Sequence, residues 1–178
     1  MKTLTHVYET ISSRCRYDLA VAAAINNELF TDNLDTGEFL KRNKQIVEAS
    51  HLGCCLNFSL YLMVKLKEAG IHSMLISTPE EGGLKASVAY EVDGNWYVAD
   101  IVEDIKCLTN AEKQYAIENG LPITYRKEVR QKFSEYYSRN AVLPLDKFKE
   151  QNDSVEMYAD IFLYSGKMSA FMKTGHCI

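Results

Sequence analysis

Three side chains in the first two-thirds of the chain are of the types that nucleophilic chemistry uses: Cys55, Lys85 and Asp100. A thiolate attacks carbonyl carbon, and a nearby cation favours the thiolate over the thiol. A carboxylate can hold that cation in place through a charge-assisted hydrogen bond. The three residues are far apart in the chain, so their chemistry depends on the elements that bring them together.

Cys55 lies in the first turn of a predicted helix that runs from Cys54 to Ala69 and stops at Gly70. The segment is apolar around most of its circumference, which predicts a central, buried helix. The first N–H groups of a helix have no internal partner, and its dipole favours negative charge there, so we expect the thiol to lose its proton easily. The alternative is that Cys55 is a small apolar core residue.

A β-hairpin is the clearest local pattern in the sequence. Residues Lys85–Val92 and Asn95–Ile101 both alternate between apolar and polar side chains, and Asp93-Gly94 between them is typical of a two-residue turn. Such a turn sets the pairing of every other position in the two strands.

With that turn, Val92 faces Asn95 and Ser87 faces Asp100. Lys85 then becomes a diagonal neighbour of Asp100, with the two backbones ~7–8 Å apart and a long side chain able to span the gap. A three-residue turn would shift the register and break this geometry. Because Asp100 lies in an otherwise apolar strand, its carboxylate needs a partner.

Two motifs resemble the transglutaminase-like superfamily of papain-like cysteine enzymes. The nucleophile motif is a glycine, one residue, the cysteine, a phenylalanine three positions later and a Gly-Ile pair; the second motif has a tryptophan four residues before an aspartate. The matching residues are Gly53, Cys55, Phe58, Ser59, Gly70-Ile71, Trp96 and Asp100. The resemblance covers roughly residues 50–103 and matches Cys55, not Cys54, to the nucleophile.

One position departs from the family pattern. The family histidine, which takes the thiol proton and is oriented by the aspartate, corresponds to Lys85. A lysine held charged beside Asp100 has no lone pair for that proton, although it can stabilise a thiolate as a fixed cation. Three interpretations are open. The chain is a pseudoenzyme with a Lys85–Asp100 ion pair, or the change at position 85 occurs in a protein whose relatives are active, or another histidine reaches Cys55. The histidines considered for that role are His51, His72 and His176.

The resemblance implies an α+β fold of the transglutaminase-like or papain-like type, with the cysteine helix packed on an antiparallel sheet. It also implies a cysteine-dependent enzyme that acts on an amide carbonyl of a protein or peptide, as a peptidase, glutamine deamidase or acyl transferase. Cys55 would attack, Asp100 would orient residue 85, and helix N–H groups would hold the oxyanion. The alternative function is an inactive, protein-binding member of the family.

Amide side chains near the cysteine are further candidates. Gln45 and Asn57 could donate to an oxyanion, as an amide does in papain-like sites. An exposed polar helix residue is the simpler interpretation of each. The tyrosines Tyr136, Tyr137, Tyr158 and Tyr164 could line a substrate groove, but packing within or beside the core is the simpler interpretation.

Length and composition set the wider limits. The chain has 178 residues, 47% of them apolar and 25% charged, which favours a single globular domain over residues 1–178. A net charge of −4 with no basic run argues against a nucleic-acid partner. No apolar stretch is long enough to span a membrane, and the N-terminus lacks the apolar core of a signal peptide. The oligomeric state is left open.

The five cysteines, Cys15, Cys54, Cys55, Cys107 and Cys177, follow no disulfide or zinc spacing. We therefore expect free thiols, a cytoplasmic protein, and neither metal nor cofactor, with export that needs no signal peptide left open. The remaining elements that the pattern predicts are helices at Tyr17–Phe30, Glu38–Ala49, 110–119, 125–139 and Leu143–Gln151, strands at Ile71–Ser77, Met157–Tyr164 and Lys167–Lys173, and loops at 31–37 and 78–83.

Overall fold

The computed structural model describes residue 11 and residues 14–26, 35–80, 83–120 and 142–159. These ranges contain both helices and an antiparallel sheet, so the predicted α+β class is confirmed. The helices are α1 (Leu19–Asn26), α2 (Thr36–Ser50), α3 (Cys55–Glu68), α4 (Ile101–Glu118) and α5 (Leu145–Gln151). The strands are β1 (Arg16–Tyr17), β2 (Leu52–Gly53), β3 (Ser73–Glu80), β4 (Gly83–Val92), β5 (Asn95–Ala99), β6 (Val142–Pro144) and β7 (Glu156–Tyr158).

The main sheet has the strand order β6-β5-β4-β3-β7 within the described residues, and every neighbouring pair is antiparallel. Successive side chains of a strand point to opposite faces, and the two faces here pack against different helices. Val88 and Ala99 belong to the core under α3 and α4, whereas Ala89 and Val98 pack with Phe148 of α5. The sheet is therefore covered on both faces.

Helix α3 is the central element that the apolar pattern predicts. Its buried residues are Leu56, Asn57, Phe58, Ser59, Leu60, Leu62 and Leu66. Ser59 Oγ donates to the carbonyl oxygen of Ala86 at 3.0 Å and so links the helix directly to β4. The helix is followed by Gly70 at a φ of +73°, a left-handed conformation that glycine adopts without strain.

The hairpin has the register that the Asp93-Gly94 turn predicts. Val92 pairs with Asn95 and Val88 with Ala99. Both turn residues have positive φ, at 51° and 77°, as a two-residue turn that follows the twist of the strands requires.

A short parallel pair holds the segment that precedes α3. β1 pairs with β2, so that Tyr17 lies beside Gly53. Arg16 N donates to the carbonyl oxygen of His51, and Asp18 N donates to that of Gly53, both at 2.8 Å. A distant segment of the chain thus fixes the backbone that leads into Cys54 and Cys55.

Several predicted boundaries are wrong, among them the starts of the helices predicted at 110–119 and Leu143–Gln151, which begin at Ile101 and Leu145. The helix predicted at Tyr17–Phe30 is preceded by β1 and begins at Leu19. The strand predicted to end at Ile101 stops at Ala99, because α4 begins at Ile101. The loop predicted at 78–83 is largely strand, since Thr78 pairs with Lys85 and Glu80 pairs with Gly83.

Several predictions lie outside the described residues. They are the helix at 125–139, the strand at Lys167–Lys173, most of the strand at Met157–Tyr164, the end of the first helix, the tyrosines Tyr136, Tyr137 and Tyr164, and His176 and Cys177. Tyr158 is buried in β7 within the core beneath α3, and the predicted packing role is confirmed for this residue.

We predict that Gly53→Ala lowers stability by about 1–3 kcal/mol, because overpacking a tight contact costs that much. A Cβ at this position would lie 2.9 Å from Cβ of Asn57, a side chain that is itself buried. The midpoint of urea unfolding measures the effect. The matched control is Gly37→Ala in α2, where the added Cβ would lie 3.4 Å from Asp35 Oδ1 and alanine is the better helix former. If Gly53→Ala left the midpoint of unfolding unchanged, β2 and α3 would be less tightly packed than the distance to Asn57 indicates.

Candidate active site

The start of α3 is fixed by two buried asparagines. Cys54 N donates to Asn57 Oδ1, and Asn57 Nδ2 donates to Asn43 Oδ1, both at 3.0 Å. Asn43 Nδ2 returns a bond to the carbonyl oxygen of Asn57 at 3.0 Å. Asn57 is therefore buried and structural, so its interpretation as an exposed polar residue is wrong. Its side-chain amide already bonds Cys54 N and Asn43 and does not point to an oxyanion. Gln45 is exposed on α2.

Cys55 lies where the sequence predicts, at the first position of α3, half-buried beside the core residues of that helix. A hydrogen bond with the Cys54 sulfur and burial raise the pKa of the Cys55 thiol well above its ordinary value. The backbone groups of Ala86 and Leu56 act in the opposite direction but do not compensate. The expected release of the proton at the helix start is thus outweighed by the adjacent sulfur and the apolar surroundings.

Lys85 and Asp100 form the ion pair that the hairpin register predicts. Lys85 Nζ lies 2.6 Å from Asp100 Oδ2, and their side chains are 18% and 17% exposed. Glu103 Oε2 lies 3.6 Å from the same ammonium. Asp100 also caps α4, because its Oδ1 accepts a bond from Glu103 N at 3.3 Å. The Asp100 carboxylate therefore links the two strands of the hairpin through Lys85 and also caps the N-terminus of α4.

The ammonium of Lys85 is held in its charged form. Burial acts to lower the pKa of Lys85, but the charges of Asp100, Glu103 and Glu80 and the hydrogen bond to Asp100 outweigh burial, so the pKa is raised above its ordinary value. At neutral pH the side chain is a fixed cation without a lone pair. The Lys85 side chain therefore cannot accept a proton from a thiol.

Cys55 contacts β4 at the residue next to Lys85. Cys55 interacts with the backbone of Ala86, the residue next to Lys85. Ala86 and Val88 pack in the cores under α3, whereas Lys85 alternates with them along the strand. The structure thus brings Cys55 against the lysine-bearing strand and joins Lys85 to Asp100.

The two described histidines have other surroundings. His72 Nδ1 lies 3.1 Å from Glu91 Oε2, and its ring packs edge-on against Trp96. Glu91 and Lys85 are at opposite ends of β4, about 20 Å apart at ~3.3 Å per residue. His51 is an exposed residue at the C-terminus of α2. His72 is therefore remote from Cys55.

Tyr17 lies near the two thiols, although no pattern in the sequence places it there. Its pairing with Gly53 in the β1–β2 ladder places it beside the two cysteines. Burial, followed by the charges of Cys55, Cys54 and Glu80, raises the pKa of the Tyr17 phenol. Only the parallel pairing of β1 and β2 brings this residue near α3, and a two-residue strand has no periodicity in the sequence.

Across the described ranges, no group of three or more His, Cys, Asp and Glu side chains is arranged to hold a metal ion. None of the helices in those ranges combines the length and the apolar character needed to cross a bilayer. Within the described residues, Cys15, Cys54 and Cys55 form no disulfide.

Comparisons with known proteins add little to the geometry. No protein-family model matches the chain, and no curated protein matches it. A solved structure described as a TGase is similar at 17% sequence identity, over 53% of this chain and 24% of that chain, with a TM-score of 0.37. The chain thus spans about a quarter of that structure. A TM-score this low establishes neither the fold nor an activity of this chain.

We predict that Lys85→Met lowers the free energy of unfolding at pH 7 by about 1–3 kcal/mol, because it leaves the half-buried Asp100 carboxylate without its cation. Since the pKa of Lys85 is raised in the folded state, the ion pair is fully stabilising below the unfolded pKa of ~10.4. Its contribution is lost as the pH rises through the higher folded value. Urea unfolding of both proteins from pH 7 into the alkaline range measures the difference.

The matched variant is Asp100→Asn, which removes the charge but keeps a side chain that caps α4. The double variant with Lys85→Met should cost less than the sum of the two single changes, since either change alone breaks the pair. Additive costs would contradict a stabilising ion pair.

We predict that Cys55 reacts with iodoacetamide with a midpoint above that of an ordinary thiol, because the Cys54 sulfur and burial disfavour the thiolate. Cys54→Ala should move the midpoint downward, since it removes the sulfur that opposes ionisation. Fragment-ion mass spectrometry against pH, which assigns the label to Cys55 or to the adjacent Cys54, separates this thiol from the other four cysteines. A midpoint well below the ordinary value in the unmodified protein would contradict the prediction.

Proposed function

We propose that the chain is a transglutaminase-like cysteine enzyme that acts on the amide carbonyl of a protein or peptide through Cys55, with turnover slowed by Lys85. Two observations support the proposal: Cys55 interacts with the backbone of Ala86, the residue next to Lys85 on β4, and Lys85 forms an ion pair with Asp100. The motifs around Cys55 and Asp100 supply the family resemblance. The substrate itself is not specified by these residues.

The reaction would proceed through an acyl-enzyme. The Cys55 thiolate attacks the carbonyl carbon, a C–S bond forms, and the C–N bond breaks as the amine leaves with a proton. Water or a second amine then releases the acyl group, which gives hydrolysis, deamidation or acyl transfer. N–H groups at the start of α3 are the donors available for the oxyanion, because the first N–H groups of a helix have no internal acceptor.

Proton transfer is the step that this site performs poorly. The amine must be protonated as it leaves, and general acid catalysis works best when the pKa of the acid is close to the working pH. The pKa of Lys85 is raised above that of an ordinary lysine, so its proton is held too tightly. The thiol also begins protonated, because its pKa is raised. Slow turnover on unactivated amides follows.

A second function is favoured by the ion pair itself. Lys85 Nζ is committed to Asp100 and Glu103, which stabilises the hairpin and the start of α4 without any need for catalysis. A chain that retains the fold and exchanges a proton carrier for such a pair suits a catalytically inactive, protein-binding domain. The two proposals differ in whether an imidazole at position 85 restores activity.

We predict that Lys85→His increases acyl transfer on a glutamine-containing peptide by about 10²-fold or more, the range that a positioned general acid–base contributes. Release of ammonia with and without an added amine measures deamidation and transfer together. Cys55→Ala in the same background should abolish the gain, and Asp100→Asn should reduce it, because the carboxylate would orient the imidazole.

Lys85→Arg is the matched control, since it keeps a cation beside Asp100 and supplies no base at neutral pH. No gain is expected from it. A folded Lys85→His protein that shows no gain on any of several glutamine or peptide substrates would contradict the enzyme and favour the binding domain.

A further inference from the structure

An apolar groove lies between α2, α3 and the start of β3. Its volume is about 380 Å³, within the range of small-molecule sites in proteins. Its apolar walls are Leu40 of α2, Leu60, Met63 and Val64 of α3, and Ile71 after that helix. Leu60 is fully buried, whereas Met63 and Val64 are only half-buried. The groove therefore leads from the core beneath α3 to the surface.

The groove is apolar at one end and cationic at the other. Leu60, Val64 and Lys67 are spaced by four and three residues, so they lie on one face of α3. The helix rises about 10 Å from Leu60 to Lys67. Lys67 is exposed, and His72, which is also exposed, lines the same groove. A matching ligand thus has an apolar tail near Leu60 and a polar end near Lys67.

The charge of Lys67 is available to a ligand. Lys65, in the same turn, lies 3.0 Å from a Glu48 oxygen and 3.2 Å from a Glu68 oxygen. Within the described part of the chain, Lys67 has no such carboxylate partner, and none of the described residues lining the groove is acidic. Glu68, the neighbour of Lys67, is held by Lys44 and Lys65. The cationic end of the groove therefore suits an anion.

We propose that this groove binds a medium-chain fatty acid, with the alkyl chain against Leu60 and Val64 and the carboxylate at Lys67. Burial of the alkyl chain supplies most of the binding free energy, because it removes apolar surface of the ligand and of the groove from water. The ion pair with Lys67 fixes the direction of the ligand. The groove follows the C-terminal half of α3, whereas Cys55 begins that helix, so this binding is independent of the proposed enzymatic function.

Trp96 is a built-in reporter of the groove. It is the single tryptophan of the chain, and its ring packs edge-on against His72 with 5.1 Å between ring centroids. His72 Nδ1 also lies 3.1 Å from Glu91 Oε2, which holds the imidazole beside the indole. Because His72 lines the groove, a carboxylate bound at Lys67 changes the surroundings of this ring pair. The fluorescence of Trp96 should therefore change as the groove fills.

The test titrates decanoate into the full chain below the micellar concentration of the ligand, with tryptophan fluorescence and isothermal titration calorimetry as readouts. We expect saturable binding of one decanoate per chain. Octanoate should bind roughly tenfold more weakly, since it buries two fewer methylenes. Decanol should bind more weakly than decanoate, because it has the same tail without the charge.

Lys67→Gln should weaken decanoate binding by about fivefold, the upper range for an exposed ion pair, and leave decanol binding unchanged. Lys65→Gln is the matched control, because it removes a cation from the same last turn of α3 but from a residue that does not line the groove. Both lysines also interact with the helix dipole, so only the loss specific to Lys67 reports the ligand contact. Lys65→Gln should bind decanoate as the wild type does.

Val64→Phe fills the groove from a half-buried position and should abolish the binding of both ligands, with circular dichroism to check the fold. A wild-type chain without saturable decanoate binding would overturn the proposal. Decanol that binds as tightly as decanoate would do the same, as would Lys67→Gln or a folded Val64→Phe with wild-type affinity. Cys55→Ala should bind decanoate normally, so loss of the proposed enzymatic function and loss of this site give different results.

Discussion

The pairing register of β4 and β5 is the constraint on which the rest of the site depends. Asp93 and Gly94 both adopt positive φ, and this tight turn leaves a single way to pair the two strands. A slip of one residue would move Asp100 to the other face of the sheet. In the observed register, Asp100 Oδ2 lies 2.6 Å from Lys85 Nζ, and Asp100 Oδ1 caps α4. Strand β4, which carries Lys85, also contacts α3, because the carbonyl oxygen of Ala86 accepts a hydrogen bond from Ser59.

The sequence predicts those parts of the structure that have a local signal. Helix α3 has an apolar pattern around most of its circumference, and the hairpin has alternation and a turn pair, so both are found at nearly their observed bounds. The end of β5 is not found, because the apolar residues around Asp100 continue the alternation. The spacing of Asp100 and Glu103 is the signal for a helix start that the alternation obscured.

The features of the site that the sequence does not predict depend on contacts between segments that are distant in the chain. Tyr17 reaches the cysteines only through a two-residue parallel pairing with Gly53, and Asn57 is buried only because Asn43 of another helix meets it. The acidity of Cys55 was expected from its position at the helix start. It is set instead by the Cys54 sulfur, whose adjacency is visible in the sequence although its contact with Cys55 is not.

The protons held at the site separate this arrangement from a cysteine–histidine pair. A thiol and a neutral imidazole share one proton, which can move between them without leaving the site. Here Cys55 and Lys85 each hold a proton, because the pKa of each group is raised by its own neighbours. A thiolate therefore forms only when a proton leaves for solvent or passes to another group. The Lys85–Asp100 pair cannot lower that cost by accepting the proton, because the Lys85 ammonium is already protonated. Its only electrostatic contribution is that of a fixed positive charge, which the carboxylates of Asp100 and Glu103 largely neutralise.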